Sequence, residues 1–126
     1  MVTKQANATE MGMSDRVVAA VEKTWRGLGE DVDVVHAGPV EEAIDYTVVV
    51  PRLRQVECVL RRDQPLERAS GKLVSLVDDG WQVCALLPTS ALGEAHGAFR
   101  GLSIRLQGWW ERDQDGEIRF TSPERP

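Results

Sequence analysis

Three stretches of this sequence predict an α/β protein, a single domain with a mixed β-sheet flanked by helices. Residues 81–87 are apolar on both faces after Gln82, the pattern of a strand lying inside a sheet covered on both sides. Residues 45–50 and 55–61 are β-rich runs separated by Pro51 and a short basic turn, which predicts an antiparallel pair. Between that pair and the run at 81–87, residues 65–79 carry apolar side chains at helical spacing. A helical crossover in this place sets the strands beginning at Gln55 and Trp81 parallel.

The remaining elements follow in order. Ser14 is a plausible N-cap, and Val17, Val18, Val21, Trp25 and Leu28 recur at helical spacing until Gly27 and Gly29 stop the helix. Arg16, Glu22, Lys23 and Arg26 then face outward. Val32, Val34 and Val35 form a short strand that Gly38 and Pro39 end. In the crossover helix Pro65 suits the first turn, with Asp63 or Gln64 as cap, and Leu66, Ala69, Leu73, Leu76 and Val77 form the stripe. A rival assignment makes 72–77 a strand, hairpinned to 81–87 through Asp78, Asp79 and Gly80. The helix is preferred, because this run lacks strand alternation. Thr89 or Ser90 caps a further helix with Ala91, Leu92, Ala95, Phe99 and Leu102 on its buried face. Ile104, Leu106 and Trp110 alternate, as do Ile118 and Phe120, with turn chemistry at 113–116 between them, so the chain closes on a β-hairpin. The expected organisation is a flexible tail over 1–13, the α/β domain over 14–121 and a C-terminal tail over 122–126.

Composition narrows the class. The 126 residues are 42% hydrophobic and 28% charged, which suits one globular domain. No apolar run approaches the roughly 20 residues a membrane helix needs, and the N-terminus lacks signal-peptide blocks, so a cytoplasmic protein is expected. The net charge of −5 gives little general attraction for nucleic acid or membrane surfaces. Cys58 and Cys84 sit among apolar neighbours without zinc-site spacing and read as reduced core thiols.

Asp45 opens its strand, Glu57 lies on the next strand within VECVLRR (56–62), and Glu22 lies in the first helix. With the order αβββαβ, this resembles the restriction-endonuclease-like fold, the PD-(D/E)xK superfamily, over roughly residues 14–110. The resemblance implies a divalent-metal nuclease core with Asp45 and Glu57 as magnesium or manganese ligands and Glu22 assisting. It also calls for a lysine two residues after the glutamate, where this chain has Val59. Valine neither steadies an attacking water nor offsets phosphate charge. Lys72 in the crossover helix is the candidate substitute, and Arg61 a second one. In such a core Arg52, Arg54, Arg61 and Arg62 would hold phosphates. Without a metal, Asp45 caps its strand and Glu57 pairs with an arginine on an exposed sheet face.

Trp109 and Trp110 are adjacent in a strand, so one points inward and the other out. The outward one, with Arg105 and Gln107, is the candidate interface. Glu94 and His96 are placed where a pocket at the carboxyl ends of strands would lie. The expected function is a non-catalytic interaction or regulatory module with a degenerate nuclease-like core and no cofactor, acting as a homo-oligomer or on a protein partner. A metal-dependent nuclease acting on nucleic acid is the first alternative, and a small-ligand-binding domain is the second.

Overall fold

The computed structural model describes residues 2–36 and 42–126, with side chains from Met13 onward. The turn expected at Gly38 and Pro39 lies outside the described residues. Six strands form one mixed sheet flanked by three helices. The elements are α1 (Val2–Gly27), β1 (Asp33–His36), β2 (Ile44–Val50), β3 (Gln55–Leu60), α2 (Ser70–Asp78), β4 (Gln82–Pro88), α3 (Leu92–Ala98), β5 (Arg105–Glu111) and β6 (Ile118–Phe120). Strand order in the sheet is the sequence order. β1, β2 and β3 run as an antiparallel meander, β3, β4 and β5 are mutually parallel, and β6 returns antiparallel to β5. The expected αβββαβ order and the parallel β3–β4 pair are both present.

Alternation along the strands builds two cores. Val56, Cys58 and Leu60 of β3 and Val83, Ala85 and Leu87 of β4 face α2 and α3, where Leu73 and Phe99 close over them. Val59 of β3 and Cys84 and Leu86 of β4 face the other way, under Val17, Val18 and Val21 of α1. β4 is therefore buried on both faces from Val83 to Leu87, as its composition predicts.

Several local features differ from the sequence expectation. The helix expected to start at Ser14 runs back to Val2, so most of the expected N-terminal tail is helical. Its other end closes as expected: Gly29 adopts φ +85°, and Glu30 and Gly29 donate back to the Trp25 and Arg26 carbonyls, both at 3.0 Å. The crossover helix begins as a 3-10 turn over Leu66–Ala69 and has no side-chain cap, because Pro65 already sets the extended entry. A 3-10 turn over Thr89–Ala91 likewise precedes α3 without a side-chain cap. This turn presses on β5 at Gly108, where a Cβ would come within 2.7 Å of the Thr89 methyl. The expected C-terminal tail is tied down at Glu124, which exchanges backbone hydrogen bonds of 2.7 and 2.9 Å with Leu106. Tight side-chain contacts moor α1: Tyr46 donates to Asp15, and Arg16 donates to Glu111 and to the Gly116 carbonyl.

Candidate functional site

The acids that the nuclease resemblance selects lie in three different settings. Glu57 alternates with Val56 and Cys58, so it points to the α1 side of β3. There it is 6% exposed, not on an open sheet face, and no arginine among the described residues meets it. The Trp25 indole N–H donates to its Oε1 at 3.2 Å, and its Oε2 is buried with no hydrogen-bond partner among the described residues. Burial pushes the Glu57 carboxyl above the usual range, with Cys84, Trp25 and Gln55 pulling the other way. Cys84, across the parallel register from Glu57, is itself pushed well up by burial and by the neighbouring carboxylate. Burial likewise takes Cys58 up to about 12, the direction that suppresses the reactive thiolate.

Asp45 sits near the start of β2, where the β2–β3 ladder shifts register between Ile44 and Tyr46. It is half-exposed, 3.8 Å from Arg61. Glu57 pairs with Val48, further along β2, so the two carboxylates are offset along neighbouring strands. Glu22 pairs with Arg26 at 3.5 Å, one helical turn along α1. Lys72 lies on the far side of the sheet. It lines a cleft of about 360 Å³ with Thr47, Val49, Val56 and Trp81, on the face opposite Glu57. A cation there has to pass through β3 to meet the Glu57 carboxylate. Among the described residues no three His, Cys, Asp or Glu side chains converge as a metal site. This donor set does not fit a divalent ion, which needs several oxygen ligands at short range.

Three of the four candidate phosphate-binding arginines already have partners. Arg52 forms a two-pronged pair with the buried Glu30, one contact at 2.9 Å. Arg54, at φ +50°, stacks 4.8 Å from the Trp81 ring and donates to the Asp79 carbonyl at 2.9 Å. Arg61 holds Asp63 with two bonds of 3.0 Å. Arg62 is exposed and has no ion pair among the described residues. Arg61, Arg62, Ser90 and Glu94 line a cleft of about 340 Å³ at the carboxyl ends of β3 and β4. His96, the other residue expected at that end, instead meets Glu124 at 2.7 Å.

The tryptophan pair divides as adjacency requires. Trp109 is 7% exposed under α1, and Trp110 is 41% exposed. Arg105 and Gln107 lie on the same parity as the buried Trp109, so the expected grouping of Arg105 with the outward tryptophan is not formed. Gln107 is used internally, donating to the Thr121 carbonyl at 2.7 Å. The cover changes along β5: the turn before α3 covers Gly108, and beyond it only the α1 side is closed. Trp110 shares the parity of Leu106 and Gly108, so its side chain leaves the sheet on the face away from α1, at the rim of a cleft of about 1000 Å³ between α1 and the β5–β6 hairpin. Sequence spacing marks Arg16 and Lys23 as outward-facing, but the hairpin wall opposite them comes from residues about 90 positions later. No family model, no curated protein and no solved structure matches this chain.

Proposed function

We propose that this chain is a non-catalytic interaction module on a nuclease-like core, binding a protein partner through its β5–β6 hairpin. The observation that carries this reading is Trp110, a large aromatic side chain left 41% exposed on the face that the turn before α3 covers only as far as Gly108, while its neighbour Trp109 is buried. Contact surfaces are enriched in tryptophan of this kind, since burying it against a partner removes apolar area from water. The separation of Glu57 from Lys72 by the sheet supports the non-catalytic half. Hydrolysis needs groups converging on one phosphate, and a misplacement of about 1 Å can already cost on the order of a hundredfold in rate. The partner is a different protein or another copy of this chain.

Selection of random displayed peptides on the intact chain tests the surface. Enriched binders are expected to lose affinity for a folded Trp110→Ser variant. They should keep it for Val74→Ser, an exposed apolar position on α2. Binders indifferent to Trp110 would contradict the assignment.

The cleft at the carboxyl ends of β3 and β4 supports a second reading, a small-ligand site, because open parallel sheets bind ligands at that end. Native mass spectrometry of the purified protein, with Arg62→Ala as control, is the check. A co-purified ligand lost in the variant supports it.

A further inference from the structure

β3 and β4 are parallel neighbours, so the segments that follow them leave the sheet side by side. After β3 comes the turn that leads to α2, and after β4 the 3-10 turn that leads to α3. Between these two segments lies the cleft of about 340 Å³. We infer that it binds a free α-amino acid with an apolar side chain, the carboxylate on Arg62 and the ammonium on Glu94. This rests on the small-ligand reading of the same cleft.

The two segments bring opposite charges to one cleft. Arg62 comes from the turn after β3, and Glu94 from the first turn of α3. Neither has an ion pair among the described residues, and they do not pair with each other. Arg61, the neighbouring cation, is held by Asp63 with two bonds of 3.0 Å and lies 3.8 Å from Asp45. Its charge is answered inside the chain, which leaves one unpaired charge of each sign at the cleft. Leu60, Leu66 and Leu87 are buried and line the cleft as well, so it has an apolar floor. Gln64 and Ser90 add neutral hydrogen-bonding groups.

The pairing of signs selects among occupants. A nucleotide or other phosphate compound brings more than one negative charge toward Glu94, with only Arg62 unpaired to receive it. A simple carboxylic acid satisfies Arg62 and leaves Glu94 without a partner, and an amine does the reverse. A zwitterion answers both, through hydrogen bonds in which both members are charged, the stronger kind. Size then decides between zwitterions. Ligand pockets run from about 300 to 1000 Å³, so this cleft stands at the small end and suits one amino acid better than a peptide. The buried leucines favour an apolar side chain laid against them, because that contact removes apolar area from water.

The experiment uses the intact chain and its Arg62→Ala and Glu94→Gln variants. Both positions are exposed, and each variant is checked for fold by circular dichroism. Leucine, valine, methionine and phenylalanine are titrated into the wild type and followed by two-dimensional NMR, and the tightest serves as reference. Its amide and its N-acetyl derivative, glycine and adenosine monophosphate are then compared with it. The reference amino acid is expected to bind saturably, with shifts confined to residues around the cleft. The amide lacks the carboxylate and the N-acetyl derivative lacks the ammonium, so each should bind about tenfold or more weakly. Glycine, without the apolar side chain, should be weaker by a similar factor. Arg62→Ala should lose the amino acid to the same extent. Glu94→Gln should weaken the amino acid yet bind the N-acetyl derivative at least as well as the wild type does. A merely structural role for Glu94 would not produce that crossover. An amino acid bound no better than its two derivatives, or equally by all three proteins, overturns the inference. So does adenosine monophosphate bound more tightly than the amino acid, which assigns the cleft to phosphate compounds. If the tighter compound in either case is lost in Arg62→Ala, the small-ligand reading survives alone. If nothing binds at millimolar concentration and native mass spectrometry finds no ligand, both fall.

Discussion

The two faces of the sheet are built from alternate residues of the same strands, yet they differ in kind. On the α2 and α3 face the buried residues are apolar throughout, from Val56 and Leu60 to Leu73, Phe99 and Leu106. On the α1 face Val17, Val21, Val48, Val59 and Leu86 pack in the same way, but Glu57 sits among them. One of its oxygens is held by Trp25 and the other by nothing among the described residues. Burial pushes its carboxyl above the ordinary range, because desolvation disfavours the ionised form. The acid expected from the sequence as a candidate metal ligand is thus enclosed by a helix. The solvent-open part of the α1 side lies further out, at the cleft between α1 and the β5–β6 hairpin.

This contrast can be tested by disturbing each face in turn, and the largest effect is expected on the apolar one. Phe99→Ala removes a fully buried ring from the α2 and α3 core and should cost about 3–5 kcal/mol. Leu86→Ala, fully buried on the α1 face, should cost about 2–5 kcal/mol. Urea unfolding measures both. Because the faces share strands, each variant should still unfold in one transition, and a split transition for either would show that the faces fold separately. A loss under about 0.5 kcal/mol for Leu86→Ala would remove β4 from the core.

Glu57→Gln sharpens the comparison through pH. The folded-state carboxyl is raised, so between its ordinary value and the raised one the folded chain holds a proton that the unfolded chain has released. Wild-type stability from this group is therefore complete below the ordinary carboxylate range and is lost as pH rises through the folded value. Glutamine does not titrate. The variant's stability relative to wild type should rise as pH is raised from below the ordinary carboxylate range through the folded value. A pH-independent difference would mean Glu57 is solvated. The smallest effect belongs to the surface: Trp110→Ser should change stability by no more than about 0.5 kcal/mol, while abolishing peptide binding.

Much of the fold was legible because local chemistry and tertiary structure agree. The apolar run at 83–87 has one role available to it, and the helical stripe at 66–77 with Gly80 after it settles the parallel crossover. The strand rival for 72–77 fails because Leu73 points into the core and Val74 out, with Leu76 and Val77 returning at helical spacing. The site was less legible. Alternation says that Glu57 and Val59 share a face, but not that α1 covers it. It says that one tryptophan of the pair points out, but the choice depends on where the turn before α3 stops shielding β5. The Glu30–Arg52 pair and the cleft walls join residues from separate elements. No spacing rule reaches across such distances.

The central claim is that the acids of this sheet serve packing and that function lies at the hairpin and the strand-end cleft. The most direct measurement is incubation of the purified chain with single-stranded, duplex and branched DNA and with RNA, in magnesium and in manganese, followed on denaturing gels. The account predicts intact nucleic acid in every lane. Cleavage by the wild type that disappears in both Asp45→Ala and Glu57→Ala proteins, each shown to be folded, would contradict it.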